Sequence, residues 1–199
     1  MAEFVLAVLC AGAGVFAASA ITKLRSQAAY GDYRAGLRGT GLLPQRLLSA
    51  LAAVLATAEA VAAGALIAAG VTLAVAVTGS FWLAESALAL AAGLMAVLTA
   101  GVTVVIRRGV KTPCVCFGSR SARPLGPAHL ARNVGLLALL TAGLVGEGFT
   151  RTAPLAAGSV LAVAAGLIVA LLFIRWEDLA ALFTPIQAAY QPGPDRRAR

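Results

Sequence analysis

The sequence predicts an all-α protein whose helices cross a membrane, and two observations support this fold class. The first is composition: of 199 residues, 60% are hydrophobic and 12% are charged, and the mean hydropathy is +0.90. A soluble domain carries about twice that share of charge, roughly 25%. The second is that the apolar residues form long runs, and a helix needs roughly 20 residues to cross a hydrocarbon core. We therefore expect a polytopic transmembrane helical bundle of four to five spans.

The first expected span covers residues 3–22 and could instead be a secretory signal peptide, because it ends in small residues. Its charges argue against cleavage. Glu3 stands where a signal peptide carries Lys or Arg, and Lys23 and Arg25 follow the apolar run. We therefore expect an uncleaved span.

Four more spans follow. They lie near residues 47–70, 82–106, 127–147 and 154–174. The second and third are divided at residues 71–80, since Thr78, Gly79 and Ser80 close that segment. Small residues recur four apart in the fifth span, at Gly158, Ala162, Gly166 and Ala170, and a similar stripe in the third holds Ala89, Gly93 and Gly101. Both stripes predict close helix packing.

The chain would thus divide into a bundle over residues 1–175 and an interfacial helix with a basic polar tail over residues 176–199. After the fifth span, apolar residues recur at steps of three and four: Trp176, Leu179, Phe183, Ile186 and Tyr190. Glu177, Asp178 and Gln187 lie on the opposite face, so the segment is expected to lie along the membrane surface. Pro185 would kink or end it.

Basic residues predict the orientation. Of 16 Lys and Arg residues, all but Arg151 fall in the first loop, in or just after the loop between the third and fourth spans, or in the tail. The positive-inside rule then places the N-terminus outside and the C-terminus inside a cytoplasmic membrane. The net charge of +8 reflects this topology and favours contact with anionic lipid heads. Nucleic acid is an unexpected partner, because no recognition motif accompanies the charge.

Candidate chemistry is concentrated in the loop after the third span, which holds Cys114 and Cys116, two of the three cysteines. Thiols separated by one residue can form a small, strained and therefore labile disulfide ring. Nearby basic residues favour the reactive thiolate. The alternatives are inert thiols or capture of a soft metal ion, although the loop has no carboxylate and His129 is the only histidine. We expect no metal site, and Cys10 in the first span is expected to be a packing residue.

This loop resembles the MauE family of methylamine-utilisation membrane proteins and, more loosely, the DoxX-like redox-associated membrane proteins. The resemblance rests on Cys114, Cys116, Phe117 and Gly118 as C-x-C-F-G, on Pro124 and Leu125, and on His129, Leu130, Arg132 and Asn133 at the start of the next span. Pro44 and Glu59 also match, and Val115 replaces a Gly often present between the cysteines. The resemblance implies a helical bundle that works with a thioredoxin-like partner in disulfide formation of exported proteins, such as methylamine dehydrogenase.

The charge rule and the resemblance conflict, because the rule places both cysteines inside whereas exported proteins are oxidised outside. Either the bundle conducts electrons across the membrane, or the loop dips into the bundle and is reachable from outside. Cys10 is the only thiol that could serve as an outer station.

Carboxylates within spans are functional candidates because burying a charge in hydrocarbon is costly. Glu59 is expected near the membrane midplane, where it would be protonated, bonded to a threonine such as Thr57 or Thr103, or a proton acceptor. Glu85 is expected nearer the outer surface. His129 is a candidate proton carrier or a surface residue, and Arg132 beside Asn133 is expected to extend to the surface.

The sequence thus favours a membrane thiol/disulfide redox component, a possible oxidoreductase, acting through Cys114 and Cys116. It specifies no cofactor beyond their disulfide and identifies no quinone. The alternatives are a non-catalytic membrane anchor or assembly factor for a thioredoxin-like protein, and a small-solute or metal transporter with Glu59 in its pathway.

Overall fold

A computed structural model of the chain describes residues 1–41, 44–75, 80–110, 126–148 and 158–182. These residues form α-helices, namely α1 (Ala2–Leu24), α2 (Gln27–Gly39), α3 (Gln45–Ala74), α4 (Ser80–Arg107), α5 (Pro127–Gly148), α6 (Ser159–Ile174) and α7 (Trp176–Leu182). No strand occurs among them. The expected all-α polytopic bundle is confirmed.

Four helices, α1, α3, α4 and α5, are long and apolar enough to cross a membrane. They correspond to the first four expected spans. The described part of the fifth, α6, is a shorter apolar helix of 16 residues that begins at Ser159. The expected start of that span, at residue 154, lies outside the described residues.

The first polar loop contains a helix that the sequence analysis did not predict. Ser26 caps α2, since its hydroxyl accepts a hydrogen bond from the backbone N–H of Ala29 at 3.1 Å. The apolar face of α2 packs Tyr33 against Ala52 and Ala56 of α3. Pro44 then precedes α3, in an extended conformation that suits a helix start.

The centre of the bundle is α1, which packs against α3, α5 and α6. Glycines allow this close packing. A Cβ on Gly166 of α6 would collide with the carbonyl oxygen of Ala7 and the Cβ of Cys10, and one on Gly14 would lie 2.8 Å from the Cβ of Ala170. The small-residue stripe predicted for the fifth span is therefore confirmed as a packing face against α1.

The stripe predicted for the third span is wrong as a packing face. Ala89 and Gly93 of α4 are exposed, and a Cβ added to Gly93 or Gly101 would meet no atom within 4 Å. α4 instead buries a neighbouring face. Its core residues are Ala84, Ala87, Leu88, Ala91, Ala92 and Met95. Small residues do not by themselves indicate which face of an apolar helix is buried, because Ala and Leu occur on both the buried and the exposed faces of α4.

The contacts between helices fix their relative directions. Gly12 lies beside Leu140 and Leu66, while Gly146 lies beside Phe4 near the other end of α1, so α5 runs antiparallel to α1. α3 also runs antiparallel to α1, whereas α6 runs parallel to it. α4 begins six residues after α3 ends and is too long to start at the other end of the bundle, so it also runs parallel to α1. The ends of α1, α4 and α6 therefore lie at the same end of the bundle as the start of α5, at the level of the middle of α3, where Glu59 meets Lys23. We call this the site end of the bundle.

Candidate functional site

A buried ion pair joins α1 to α3 near the site end. The ammonium of Lys23 lies 2.5 Å from both carboxylate oxygens of Glu59, and the two residues are 3% and 2% exposed. The hydroxyl of Ser19 accepts a hydrogen bond from Lys23 at 3.1 Å and donates one to Glu59 at 2.9 Å. Ser19 and Lys23 are four residues apart and so share the face of α1 that meets α3.

Tyr33 of α2 covers this ion pair. The ammonium of Lys23 lies 4.8 Å from the centre of the Tyr33 ring, a cation–π geometry, and Tyr33 is itself buried. The helix in the first polar loop thus shields a charge pair from water. The ammonium of Lys23 thus contacts a hydroxyl, a carboxylate and an aromatic ring, each of which stabilises its positive charge.

Such a pair is costly to break. Two charges removed from water lose hydration worth several kcal/mol per ion, and only good mutual geometry offsets this loss. The pair therefore specifies which face of α1 meets α3, since rotating either helix would leave an uncompensated charge in an apolar bundle.

A second buried polar cluster lies at the start of α5. The Nε2 atom of His129 lies 2.8 Å from Oε1 of Glu177, and Nη1 of Arg132 lies 3.5 Å from the same oxygen. The side chains of His129 and Arg132 are 5% and 8% exposed, and that of Glu177 is 19% exposed. Arg132 also donates to the side-chain oxygen of Asn133 at 3.3 Å. One carboxylate from α7 thus faces two basic groups of α5.

His129 lies within ion-pair distance of Glu177, but the geometry of this contact is not that of a hydrogen bond. The Nε2 atom of His129 is buried and makes no hydrogen bond, although Oε1 of Glu177 is 2.8 Å away. A misaligned N–H contributes little as a directional bond. The attraction in this orientation is therefore electrostatic and depends on protonation of the imidazole.

The two clusters lie at a similar depth. Gly12 of α1 is beside Leu140 of α5, and counting eleven residues toward the site end from each brings α1 to Lys23 and α5 to His129. Glu177 of α7 contacts His129 and so lies at this depth as well. Because α-helices rise equally per residue, both polar clusters belong to one layer at the site end.

The predicted reactive residues themselves, Cys114, Cys116, Phe117 and Gly118, lie outside the described residues, as do Pro124 and Leu125. The segment that carries them joins the end of α4 to the start of α5. Both of these helix termini belong to the site end. His129 and Arg132 are thus the described members of the predicted motif that lie nearest along the chain to the cysteines, together with Leu130.

The structure corrects several expectations for the polar residues. Glu59 is bonded to Ser19 and Lys23, whereas Thr57 donates to the carbonyl of Ala53 and Thr103 to that of Thr99 in their own helices. A threonine hydroxyl within a helix readily bonds the preceding turn, so neither was available to Glu59.

Two basic residues also differ from expectation. Lys23, counted as a surface charge of the first loop, is buried, and Arg132 does not extend to the surface, because Glu177 supplies a counter-charge inside the protein. Glu177 was expected on the polar outer face of its helix and instead faces α5. One sequence signal could have identified these residues. A carboxylate within a span needs a basic partner, and a basic residue near the end of another span can supply it.

Three further carboxylates lie in the described parts of the spans. Glu3, in the first turn of α1, is half-buried. Glu85, near the start of α4, is half-buried. Glu147, near the end of α5 opposite the site end, is buried and was not singled out by the sequence. Within the described ranges, no group of three or more His, Cys, Asp and Glu residues is placed to hold a metal ion. Cys10 is half-buried within α1 and is a free thiol.

The fold and these clusters define a multi-pass helical membrane protein with two buried charged clusters at one end of its bundle. The profile of one family, described as methylamine utilisation protein MauE, matches residues 1–146. The chain belongs to the MauE family, as its cysteine loop indicated. No curated protein and no solved structure matches the chain significantly.

Proposed function

We propose that the protein is a membrane thiol/disulfide redox component that exchanges electrons with a thioredoxin-like partner through Cys114 and Cys116. Within the MauE family, this role supports disulfide formation or maturation of exported proteins, of the kind required by methylamine dehydrogenase. The observation that carries the proposal is the C-x-C pair inside the matched region, in the segment whose two flanking helices end at the charged layer.

The exchange takes place in two steps. One thiolate of the reduced pair attacks a disulfide sulfur of the partner, which forms a mixed disulfide and releases one partner thiolate. The second cysteine then attacks the mixed disulfide. The pair ends as a disulfide, the partner gains two electrons as a dithiol, and the two protons of the pair pass to the partner's thiolates. The same steps in reverse oxidise the partner.

Positive charge close to the cysteines along the chain favours the attacking thiolate. Arg107 and Arg108 at the end of α4 are exposed, and Arg132 and His129 lie at the start of α5. A helix N-terminus adds a partial positive charge of its own. We propose His129 as the group that takes or returns protons, since it is the one histidine of the chain and its imidazole lies beside the carboxylate of Glu177.

Glu59 has a different role in this proposal. Its ion pair with Lys23 and its bond to Ser19 support the structural alternative over proton transfer. A transporter that used Glu59 as a binding group would have to break this pair during every cycle.

Paired replacements distinguish the proposals. Cys114→Ser with Cys116→Ser should abolish maturation of the exported target while leaving the protein in the membrane, and Cys10→Ala should leave maturation intact. Cys116→Ser alone should accumulate a reductant-sensitive mixed disulfide with the thioredoxin-like partner. If the double serine variant still supports maturation, the anchor function replaces ours. If the cysteines are dispensable and Glu59→Gln abolishes activity in a protein that remains folded in the membrane, transport is favoured.

We also propose that the protein lies in the cytoplasmic membrane with its N-terminus outside and its C-terminus inside. The site end, which holds the ends of α1 and α4, would then face the cytoplasm. Anionic lipid heads are the expected neighbours of its exposed arginines.

A further inference from the structure

α2 packs along the first half of α3, the half that precedes Glu59. Lys23 near the end of α1 contacts Glu59, whereas Arg34 of α2 donates to Ser49 of α3. As the chain advances from α1 into α2, its contacts on α3 therefore move back toward the start of that helix. α2 thus runs antiparallel to α3, and its last turn lies beside the first turn of α3.

Three arginines share one surface of this pair of helices. Arg38 follows Arg34 by four residues, and Arg46 precedes Ser49 by three, so the members of each pair lie on one face of their helix. The hydrogen bond from Arg34 to Ser49, at 2.5 Å, brings these two faces together. Arg34 is half-buried, and Arg38 and Arg46 are exposed. We call Arg34, Arg38, Arg46 and Ser49 the arginine face.

The arginine face carries an excess of positive charge. Residues 25–50 contain four arginines and one carboxylate, that of Asp32. Asp32 lies two residues before Arg34 and therefore points away from it on α2. Among the described residues, no carboxylate forms an ion pair with Arg34, Arg38 or Arg46. The Nε atom of Arg34 is buried and makes no hydrogen bond within the described part of the chain.

We propose that the arginine face binds the phosphate group of an anionic membrane lipid. The planar fork of a guanidinium matches two phosphate oxygens at once, so a surface with three of these groups favours a phosphate that carries net charge. Ser49 accepts a hydrogen bond from Arg34 and retains its own hydroxyl proton to donate to a phosphate oxygen. An acceptor is also what Nε of Arg34 lacks. Lipid binding at this face is independent of the proposed redox function, because it requires neither Cys114 nor Cys116.

The exposed side of α3 favours a lipid over a soluble phosphate compound. Leu47, Val54 and Val61 recur at intervals of seven on one face of α3, and they are 54%, 60% and 60% exposed. An apolar stripe of this length requires acyl chains beside it, and it begins at the residue next to Arg46. With 30 residues, α3 is longer than the roughly 20 that a hydrocarbon core requires, and a tilted helix accommodates this length. Lipid head groups therefore begin at the first turn of α3, level with the arginine face.

Two pairs of exposed arginines provide a matched comparison. Arg38→Gln with Arg46→Gln removes two charges from the arginine face, and Arg107→Gln with Arg108→Gln removes two from the end of α4. The end of α4 lies at the level of Glu59, which is thirteen residues, or about 20 Å of helix, from Arg46. Salt screens exposed charges from one another over about 10 Å, so the second pair contributes little to a ligand held by the first.

The experiment titrates the full-length protein in neutral detergent micelles with phosphatidylglycerol, phosphatidylcholine or glycerol phosphate, and counts the bound molecules by native mass spectrometry. The wild type should bind one phosphatidylglycerol about ten-fold more tightly than phosphatidylcholine. The double variant of Arg38 and Arg46 should bind it about 25-fold more weakly, which is about five-fold for each arginine. The double variant of Arg107 and Arg108 should differ from the wild type by less than about two-fold. Arg34→Lys keeps the charge without the planar fork and should also weaken binding.

Three results would overturn the inference. Equal losses for the two double variants would replace the site by a diffuse attraction between charges. Equal affinities for phosphatidylglycerol and phosphatidylcholine would contradict recognition of net charge. Glycerol phosphate that binds as tightly as phosphatidylglycerol would assign the arginine face to a soluble phosphate compound. Without lipid, the double variants should melt at the wild-type temperature, because the replaced side chains are exposed, so lost binding is distinguished from lost folding.

Discussion

The buried pair of Lys23 and Glu59 makes a sharp prediction about stability. Both side chains are at most 3% exposed and their charged atoms lie 2.5 Å apart. Removing one partner by Glu59→Gln or Lys23→Met leaves the other charge in an apolar bundle. We expect each single replacement to lower the free energy of unfolding by about 3 to 5 kcal/mol, the usual cost of breaking a buried ion pair.

The double replacement Lys23→Met with Glu59→Gln removes both charges together. It should recover most of the loss and remain within about 2 kcal/mol of the wild type, because the hydration penalty disappears with the pair. The remaining amide can still accept the hydrogen bond that Ser19 donates. The recovery is thus a property of the pair and not of either residue alone.

Reversible unfolding of the purified protein in mixed micelles with increasing denaturing detergent measures these differences. A double-mutant cycle gives the coupling between the two side chains directly. Additive losses, with the double variant as unstable as both single losses combined, would refute the claim that the two charges stabilise each other. Arg38→Gln, an exposed basic residue of α2, serves as a control and should change stability by less than ~0.5 kcal/mol.

Two further predictions concern packing. Gly166→Ala should destabilise the bundle by about 1 to 3 kcal/mol, because the added methyl group meets the backbone of Ala7. Gly93→Ala adds a Cβ that meets nothing within 4 Å and should be neutral or stabilising by up to ~1 kcal/mol. The same detergent titration measures both variants, and an equal change in stability for the two would contradict the assigned faces. Tyr33→Ala should cost about 3 to 5 kcal/mol through lost packing and the lost ring beneath Lys23, whereas Tyr33→Phe should cost under ~1 kcal/mol. If Phe is as harmful as Ala, the hydroxyl and not the ring is what matters.

The spans could be predicted from the hydrophobic residues of the sequence, because crossing a bilayer requires a minimum length of apolar helix. The first four spans fall within a few residues of the expected positions, at helices such as Ala2–Leu24 and Ser80–Arg107. The sequence was a poorer guide to which face of each helix is buried. Gly166 was assigned to a packing face correctly and Gly93 wrongly, because lipid and protein interior are both apolar and the sequence pattern does not separate them.

The buried charges were only partly predictable for a related reason. Glu59 was conspicuous because it interrupts an apolar run, whereas Lys23 resembled an ordinary charge beyond the end of a span. Its burial depends on α2 folding back over it, which is a tertiary contact between Tyr33 and α3. Glu177 likewise reaches His129 only because α7 turns toward α5. The pair Lys23–Glu59 and the pair His129–Glu177 each join residues more than 35 positions apart, a separation that local sequence patterns do not reveal.

The central claim, a redox-active pair at Cys114 and Cys116, is tested most directly by labelling intact cells and opened membranes with a membrane-impermeant maleimide, before and after reduction, in a Cys10→Ala background. Our account predicts labelling only after reduction and only in opened membranes, since the site end is expected to face inside. Labelling of intact cells after reduction would contradict that orientation while retaining the redox pair. Labelling that is the same with and without reductant would contradict the disulfide itself, and with it the proposed function.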